Sequence, residues 1–357
     1  MTHRINSQMF LGGWVLALSL ILIAGCAAPV ATDAPAVAAA VEAAGHDDAM
    51  HDAEALPALA PVTLAEGEKL RVVATTNIVG DVVRQVGGDA IDRVQLLAPG
   101  ADPHSYQARP DDLRALNQAH VVFINGLHLE EAMTPVLENL DSGAPVVAVN
   151  AGVTTLEFDE AHTDEHADAD ATETEEHHHE GADPHTWMDV RNVEHWVENV
   201  AAVLTALDPA HAELFAANAA AYTTELAALH QEIETALAAI PAAQRKLVTD
   251  HDNLGYLANA YDLTVVGTVI PSLSTMAAPS AQELAALQQQ IAQEGVETIL
   301  VGTTVNPSVA QQIADDTGAV VTTIYTDSLS DENGPAATYI DMMRYNLAQI
   351  VAALSAE

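Results

Sequence analysis

Four short segments of the chain contain side chains that could bind a divalent metal ion. His104 and His185 each follow an Asp-Pro pair, His251 follows Thr-Asp, and Asp327 stands in Tyr-Thr-Asp-Ser. Imidazole nitrogens and carboxylate oxygens are common protein ligands of such ions. Taken singly, a histidine after a strand is more commonly a capping or core residue, and an aspartate before serine is more commonly part of a turn. The repeated Asp-Pro-His favours a shared metal site.

The predicted secondary structure places these residues at related positions. His104, His251 and Asp327 each follow the carboxyl end of a predicted strand, which is the edge where open α/β sheets bind ligands. Two of the four candidates precede a long helix predicted over residues 208–240, and the other two follow it. A metal bound by all four would therefore lie in a cleft between two lobes.

Short apolar runs alternate with helical segments on both sides of residues 208–240, a pattern typical of parallel sheets covered on both faces. The predicted strands cover residues 70–74, 94–98, 120–124 and 145–149, and then 246–249, 263–270, 298–301 and 320–325. The predicted helices include 77–86, 110–118, 280–293 and 307–317.

Residues 208–240 contain no glycine and no proline after Pro209, carry apolar residues at helical spacing, and end before Pro241. About 30 residues make a helix of roughly 45 Å. The predicted fold is therefore α/β, with two lobes, each a four-stranded parallel sheet with flanking helices, joined by one long rigid helix. The lobes cover residues 69–207 and 241–357. A single eight-stranded barrel is the alternative, which the uninterrupted helix disfavours.

The amino terminus has the pattern of an export signal. Residues 10–24 are almost wholly apolar and lead into Gly-Cys at Cys26, which resembles the lipobox of bacterial lipoproteins. A run of about 15 residues is short for a membrane span and suits a signal-peptide core. We therefore expect a lipoprotein signal peptide over 1–25, a lipid on Cys26 and a flexible linker, rich in Ala, Pro and acidic residues, over 26–68. A buried free cysteine is the alternative.

Composition excludes several classes of function. The chain has 51 Asp and Glu against 11 Lys and Arg, a net charge of −40, which argues against nucleic acid as a partner. Two lysines cannot form a polybasic patch for anionic lipid. The single cysteine cannot form an intramolecular disulfide, a Cys₄ zinc site or, alone, an iron–sulfur cluster.

Residues 159–183 form an acidic, histidine-rich insert whose only apolar side chains are alanines. Such a segment cannot bury a core, so we expect it to be disordered without metal. It is either an auxiliary metal-collecting tract or a solvated run of charge. Its histidines are His162, His166, His177, His178 and His179.

The segments PGADPHSYQARPDD, ADPHTWMDV, VTDHDNLGYLANAYDL and YTDSLS together resemble the signature segments of the zinc/manganese solute-binding proteins of ABC importers, cluster A-I, especially the high-affinity zinc-uptake type. The resemblance runs from Leu70 to the carboxyl terminus in family order, and zinc-type members also carry an acidic histidine-rich insert. It implies two four-stranded lobes bridged by a rigid helix and a permease partner. It also implies His104, His185, His251 and Asp327 as the metal ligands.

The chain departs from the family pattern at Asp252-Asn-Leu and at Gly302-Thr-Thr-Val, although neither segment occupies a ligand position. His128 matches a family segment that supplies no ligand. The remaining histidines considered are interpreted as structural or surface residues: His120, His195, His211 and His230.

Three imidazoles and one carboxylate suit four-coordinate Zn²⁺, whereas Mn²⁺ prefers more oxygen ligands, and manganese-selecting family members tend to have a carboxylate where His251 stands. Four protein ligands leave no position for a catalytic water. A zinc hydrolase using Asp183 or Asp252 as base is therefore disfavoured. We predict a non-enzymatic, monomeric, extracytoplasmic lipoprotein that captures Zn²⁺ and delivers it to an ABC permease. The alternatives are selection of Mn²⁺ or Fe²⁺, and a surface adhesin or metal buffer.

Overall fold

The computed structural model describes residues 55–157 and 181–355. The predicted signal peptide, Cys26 and the five insert histidines lie outside the described residues. No helix in the described part is long and apolar enough to cross a membrane.

The first lobe contains a four-stranded parallel sheet in the order β2-β1-β3-β4. Its strands are β1 (Leu70–Ala74), β2 (Ile91–Gln95), β3 (Val121–Ile124) and β4 (Val146–Ala148), and its helices are α1 (Asn77–Gly87), α2 (Pro110–Gln118) and the short α3 (Thr134–Leu137). The central strand β3 is buried along its whole length, as expected for a sheet covered on both faces.

The second lobe repeats this arrangement in the order β6-β5-β7-β8. Its strands are β5 (Lys246–Thr249), β6 (Thr264–Thr268), β7 (Thr298–Gly302) and β8 (Val320–Ile324), and its helices are α6 (Gly255–Tyr261), α7 (Ala281–Glu294), α8 (Ser308–Thr317) and α9 (Tyr339–Leu354). Ser280 caps α7 in a capping box with Glu283, and α8 ends at Gly318 in the left-handed conformation, both as predicted.

The chain passes from the first lobe to the second through α4 (Val190–Leu207), which packs against α1, and α5 (Ala212–Ala238), which contacts both lobes. The 27 residues of α5 make a rod of about 40 Å, which packs against α1 and α4 on one side and α6 and α9 on the other. The prediction starts this helix at 208, whereas Pro209–His211 form a separate 3₁₀ turn. Proline disfavours the helical conformation in the residue before it, so the helix cannot run through Asp208. The predicted two-lobe fold with a long connecting helix is confirmed.

Strand β2 differs most in position from the sequence prediction, which places it over the apolar residues 94–98. The strand begins at Ile91 and its edge position leaves alternate residues exposed, so its apolar signal is weak. The chain nevertheless continues along β1, because the Leu96 and Leu97 amides donate to the carbonyls of Ala74 and Thr75.

Candidate metal centre

The four candidate ligands converge on one point between the lobes. His104 lies in the loop after β2, His185 starts the 3₁₀ turn before α4, His251 follows β5, and Asp327 follows β8. One ligand atom from each of them lies within 4.8 Å of the other three. The structure therefore brings together all four residues, two from each side of α5.

The distances suit a small cation. The Nε2 atoms of His104 and His185 are 3.3 Å apart, and Asp327 Oδ1 lies 3.8 Å from His185 Nε2 and 3.9 Å from His251 Nε2. Zn–N bonds of about 2.0–2.1 Å arranged tetrahedrally require ligand atoms ~3.3 Å apart. The histidine pair meets this spacing, and the carboxylate must approach by about 0.5 Å.

Two of the converging atoms lack a hydrogen-bond partner among the described residues. His251 Nε2 and Asp327 Oδ1 are buried and make no hydrogen bond to any described residue. Leaving such atoms unsatisfied in a protein interior costs free energy. Both atoms face the cluster and can donate an electron pair. A metal ion bound there would therefore supply the partner that they lack.

Neighbouring carboxylates orient two of the imidazoles. Asp183 Oδ1 accepts hydrogen bonds from the backbone N–H of His185 at 2.9 Å and from its Nδ1 at 2.8 Å. Asp250 Oδ1 does the same for His251, at 2.7 and 2.8 Å. A carboxylate on Nδ1 fixes the tautomer that directs the Nε2 lone pair at a metal and raises its basicity.

The insert predicted over residues 159–183 is shorter at its carboxyl end, because Asp183 is part of the folded structure. The side chain of Asp183 is buried, and Ala182 forms an isolated β-bridge with Glu157. The backbone N–H of Asp183 donates to Leu156, and its carbonyl accepts from the Tyr256 hydroxyl. Residues 181–183 therefore belong to the folded lobe.

The Oδ2 atoms of Asp250 and Asp327 accept hydrogen bonds from residues of the second lobe. Asp250 Oδ2 accepts the backbone N–H of Gly302 at 2.6 Å. A Cβ at Gly302 would lie 2.2 Å from Thr326 Oγ1, so this close approach requires glycine. Asp327 Oδ2 accepts hydrogen bonds from the hydroxyls of Thr304 and Thr326, at 3.0 and 2.8 Å. The family departure at 302–305 thus contacts a candidate ligand directly.

Hydrogen bonds between the lobes surround the cluster. Asp102, which accepts the His104 backbone N–H, also accepts the Thr275 hydroxyl at 2.7 Å. Ser328 accepts from Asn77 Nδ2 and from the Gly100 amide. Further from the surface, Trp187 Nε1 donates to the Thr326 carbonyl at 2.8 Å. These bonds hold the two halves of the donor set in contact.

Burial and neighbouring charges shift the pKa values of the candidate ligands in different directions. Burial, followed by the neighbouring His185, lowers the pKa of His104 to about 3. Burial also opposes the charged form of His251, but the Asp327 and Asp250 carboxylates outweigh it and raise the pKa of His251 to about 9. Burial alone would raise the pKa of Asp327, and the surrounding histidines, His251 first, lower it instead. Without metal, the carboxylates therefore favour the charged form of His251, which then faces Asp327 as an ion pair with Nε2 and Oδ1 3.9 Å apart.

The other histidines lie outside the cluster. His120 pairs with Arg71, and His195 Nε2 donates to the Ala151 carbonyl. His211 and His230 pair with Asp208 and Tyr261, respectively. These contacts support the structural or surface roles predicted for them.

Comparison with known proteins identifies the family of this chain. The family described as the periplasmic component A of a zinc-uptake complex, ZnuA, matches residues 72–353. The manganese-binding lipoprotein MntA of Halalkalibacterium halodurans is 31% identical over 294 residues, which cover 82% of this chain and 91% of that protein. The zinc-binding protein TroA of Treponema pallidum is 30% identical over 300 residues, 82% and 90% of the two chains. The chain belongs to this family.

Solved structures agree with the assignment to this family of metal-binding solute-binding proteins of ABC importers. The periplasmic zinc-binding protein TroA superposes with a TM-score of 0.70 at 28% identity, over 81% of this chain and all of that one. A manganese-bound periplasmic metal-binding protein from candidatus Liberibacter asiaticus gives 0.69 at 28% identity, over 80% of this chain and all of that one. The resemblance stated from the sequence is confirmed.

Sequence reasoning missed the residues that support the four candidates. Asp183 was assigned to the insert, and Asp250, Thr304 and Thr326 were not singled out. An acidic residue immediately before or two residues before a candidate histidine is the signal that could have found Asp183 and Asp250. The contacts of the two threonines depend on the pairing of β7 with β8, for which the local sequence carries no such signal.

Proposed function

We propose that this chain is the zinc-capturing component of an ABC importer and that His104, His185, His251 and Asp327 are its metal ligands. The observation that carries the proposal is the convergence of their ligand atoms within 4.8 Å, two of them buried without a hydrogen-bond partner among residues 55–157 and 181–355. The family assignment supports the role of a permease-dependent carrier rather than an enzyme.

The donor set supports zinc as the preferred cargo. Three imidazole nitrogens and one carboxylate give a four-coordinate site of mixed nitrogen and oxygen, which suits Zn²⁺, whereas Mn²⁺ is better served by more oxygen ligands. Relatives differ in the metal they are named for: MntA is described as manganese-binding and TroA as zinc-binding. Manganese is therefore the second candidate cargo.

The cellular setting is proposed from the sequence and the relatives together. Cys26 closes a lipobox-like segment, and MntA and the streptococcal PsaA proteins are named lipoproteins. The mature chain would be a monomer held by a lipid on Cys26 outside the cytoplasm, with the residues that follow Cys26 as its tether. This tether is shorter than the predicted 26–68, because Leu56, Leu59, Val62 and Leu64 pack against the core and the Val62 amide donates to the Leu207 carbonyl. The histidines of the insert would bind further metal ions more weakly.

Competition titration of the metal-free chain with Zn²⁺ and Mn²⁺ against a chelator tests the cargo. Alanine at each of the four ligands should reduce tight zinc binding far more than His120→Ala or His195→Ala, which change histidines outside the cluster. A protein ligand lost from a four-coordinate site can be replaced by water, which binds the metal more weakly, but not by another side chain without movement of the backbone. A ligand variant with parental affinity and stoichiometry would remove that residue from the site, and preferential binding of Mn²⁺ would favour the second candidate.

A further inference from the structure

The two oxygens of the Asp327 carboxylate have different environments. Oδ1 faces the histidine cluster and makes no hydrogen bond to a described residue. Oδ2 accepts two hydrogen bonds, from Thr326 Oγ1 at 2.8 Å and Thr304 Oγ1 at 3.0 Å. A carboxylate oxygen has about two lone-pair positions, so both positions of Oδ2 are occupied.

Both hydroxyls are fixed by the sheet of the second lobe. Thr326 is fully buried, its carbonyl accepts Trp187 Nε1, and its Oγ1 occupies the space that the missing side chain of Gly302 leaves open. The loop carrying Thr304 is anchored at its start, where the Thr303 amide donates to the Ile324 carbonyl. The Thr326 hydroxyl is therefore confined beside Oδ2, and the Thr304 hydroxyl is presented to Oδ2 by a loop that is fixed at its start.

We infer that Thr304 and Thr326 restrict Asp327 to one metal bond, through Oδ1, and so act as determinants of metal selectivity. For Oδ2 to bind the same ion, the carboxylate would have to turn and give up two hydrogen bonds to a buried charge. A hard cation that gains from a second carboxylate oxygen, such as Mn²⁺, loses that bond here, whereas four-coordinate Zn²⁺ does not require it. This inference rests on the proposed function, because it takes Asp327 to be a ligand.

The variants Thr304→Val and Thr326→Val remove each hydroxyl while keeping the side-chain shape. Thr303→Val is the matched control, because Thr303 is adjacent, exposed and hydrogen-bonds through its backbone alone among the described contacts. We expect each variant at 304 or 326 to change the ratio of zinc to manganese affinity by about tenfold in favour of manganese, the scale on which residues that contact metal ligands act. The control should leave the ratio unchanged.

Coordination number gives an independent measurement. The parent loaded with zinc should show four ligands by X-ray absorption, and its cobalt form should have the intense visible bands of a tetrahedral ion. The double variant should gain a fifth ligand, with weaker cobalt bands. Two carboxylate oxygens on the metal in the parent, or variants with the parental affinity ratio and spectrum, would overturn the inference. Because Thr304 is only partly buried, its variant remains informative if Thr326→Val does not fold.

The two proposals fail in different ways. If Asp327→Ala binds zinc as tightly as the parent, the ligand assignment is wrong and the threonine inference falls with it. If Asp327→Ala loses tight binding while the threonine variants match the control, the proposed function stands and only the selectivity inference is refuted.

Discussion

Asp250→Asn is expected to weaken metal binding and the fold together, because both oxygens of this buried carboxylate accept hydrogen bonds. Oδ1 accepts from the backbone N–H and Nδ1 of His251, and Oδ2 accepts the Gly302 amide at 2.6 Å. An asparagine has one acceptor oxygen. Whichever way the amide is placed, its NH₂ group meets at least one buried donor.

The expected loss of stability follows from the number of buried donors that lose their acceptor. One buried donor left without an acceptor costs about 1–3 kcal/mol of stability, which lowers the thermal midpoint of a chain of this size by about 1.5–2 °C per kcal/mol. Loss of the carboxylate that orients His251 should also raise the zinc dissociation constant by about 10–100-fold.

Asp183→Asn is the matched comparison. Asp183 orients His185 through Oδ1 alone, and no hydrogen bond joins its Oδ2 to a described residue. The amide oxygen of asparagine can therefore keep both bonds to His185. We expect a nearly parental thermal midpoint and a loss of zinc affinity of about tenfold, which reports the removed charge.

Chelator competition at pH 7.5 and thermal denaturation of the metal-free proteins measure the two effects separately. Asp250→Asn should lower both the zinc affinity and the thermal midpoint more than Asp183→Asn does. Equal thermal midpoints for the two variants would show that the Gly302 hydrogen bond is unimportant, and parental zinc affinity in both would show that neither acid supports a ligand.

Four further predictions concern cargo, pH, the insert and the anchor. His251→Glu should shift the preference towards Mn²⁺ in competition titrations, because it replaces a nitrogen by a hard anionic oxygen; an unchanged ratio would contradict this. The pKa of His251 is raised to about 9 in the metal-free cluster and a metal requires neutral imidazole, so one proton must leave on binding. Apparent zinc affinity should therefore rise about tenfold per pH unit from pH 7 towards 9 and then level off, and a flat profile would exclude this ion pair. Deleting residues 159–180 should leave one tight zinc site and remove weaker equivalents in calorimetry, whereas a deletion extended through Asp183 should also weaken the tight site. Cys26→Ala should abolish membrane association in cell fractionation, and an unchanged distribution would refute the lipid anchor.

The convergence of the four candidate ligands could be anticipated from the combination of their positions, although each local signal is weak when taken singly. Three follow the ends of apolar strands, and the repeated Asp-Pro-His marks His104 and His185. The edge strand β2 was displaced because its exposed alternate residues weaken the apolar pattern. Asp183 was misassigned because its neighbours in sequence are acidic and polar, while its burial comes from contacts with Leu156 and Tyr256, distant in sequence.

The division of the donors between the lobes bears on how a tightly held ion can be released. His104 and His185 belong to the first lobe, whereas His251 and Asp327 belong to the second, and α5 packs against both. A relative displacement of about 1 Å is half of a metal–ligand bond of ~2 Å, so it would break the donor set without unfolding either sheet. Hydrogen bonds between the lobes, such as the Asp102–Thr275 pair, oppose this displacement. Each such hydrogen bond contributes about 0.5–1.5 kcal/mol net. A partner that separates the lobes must therefore overcome these hydrogen bonds and the apolar core that the two lobes share before it can lower the affinity of the site.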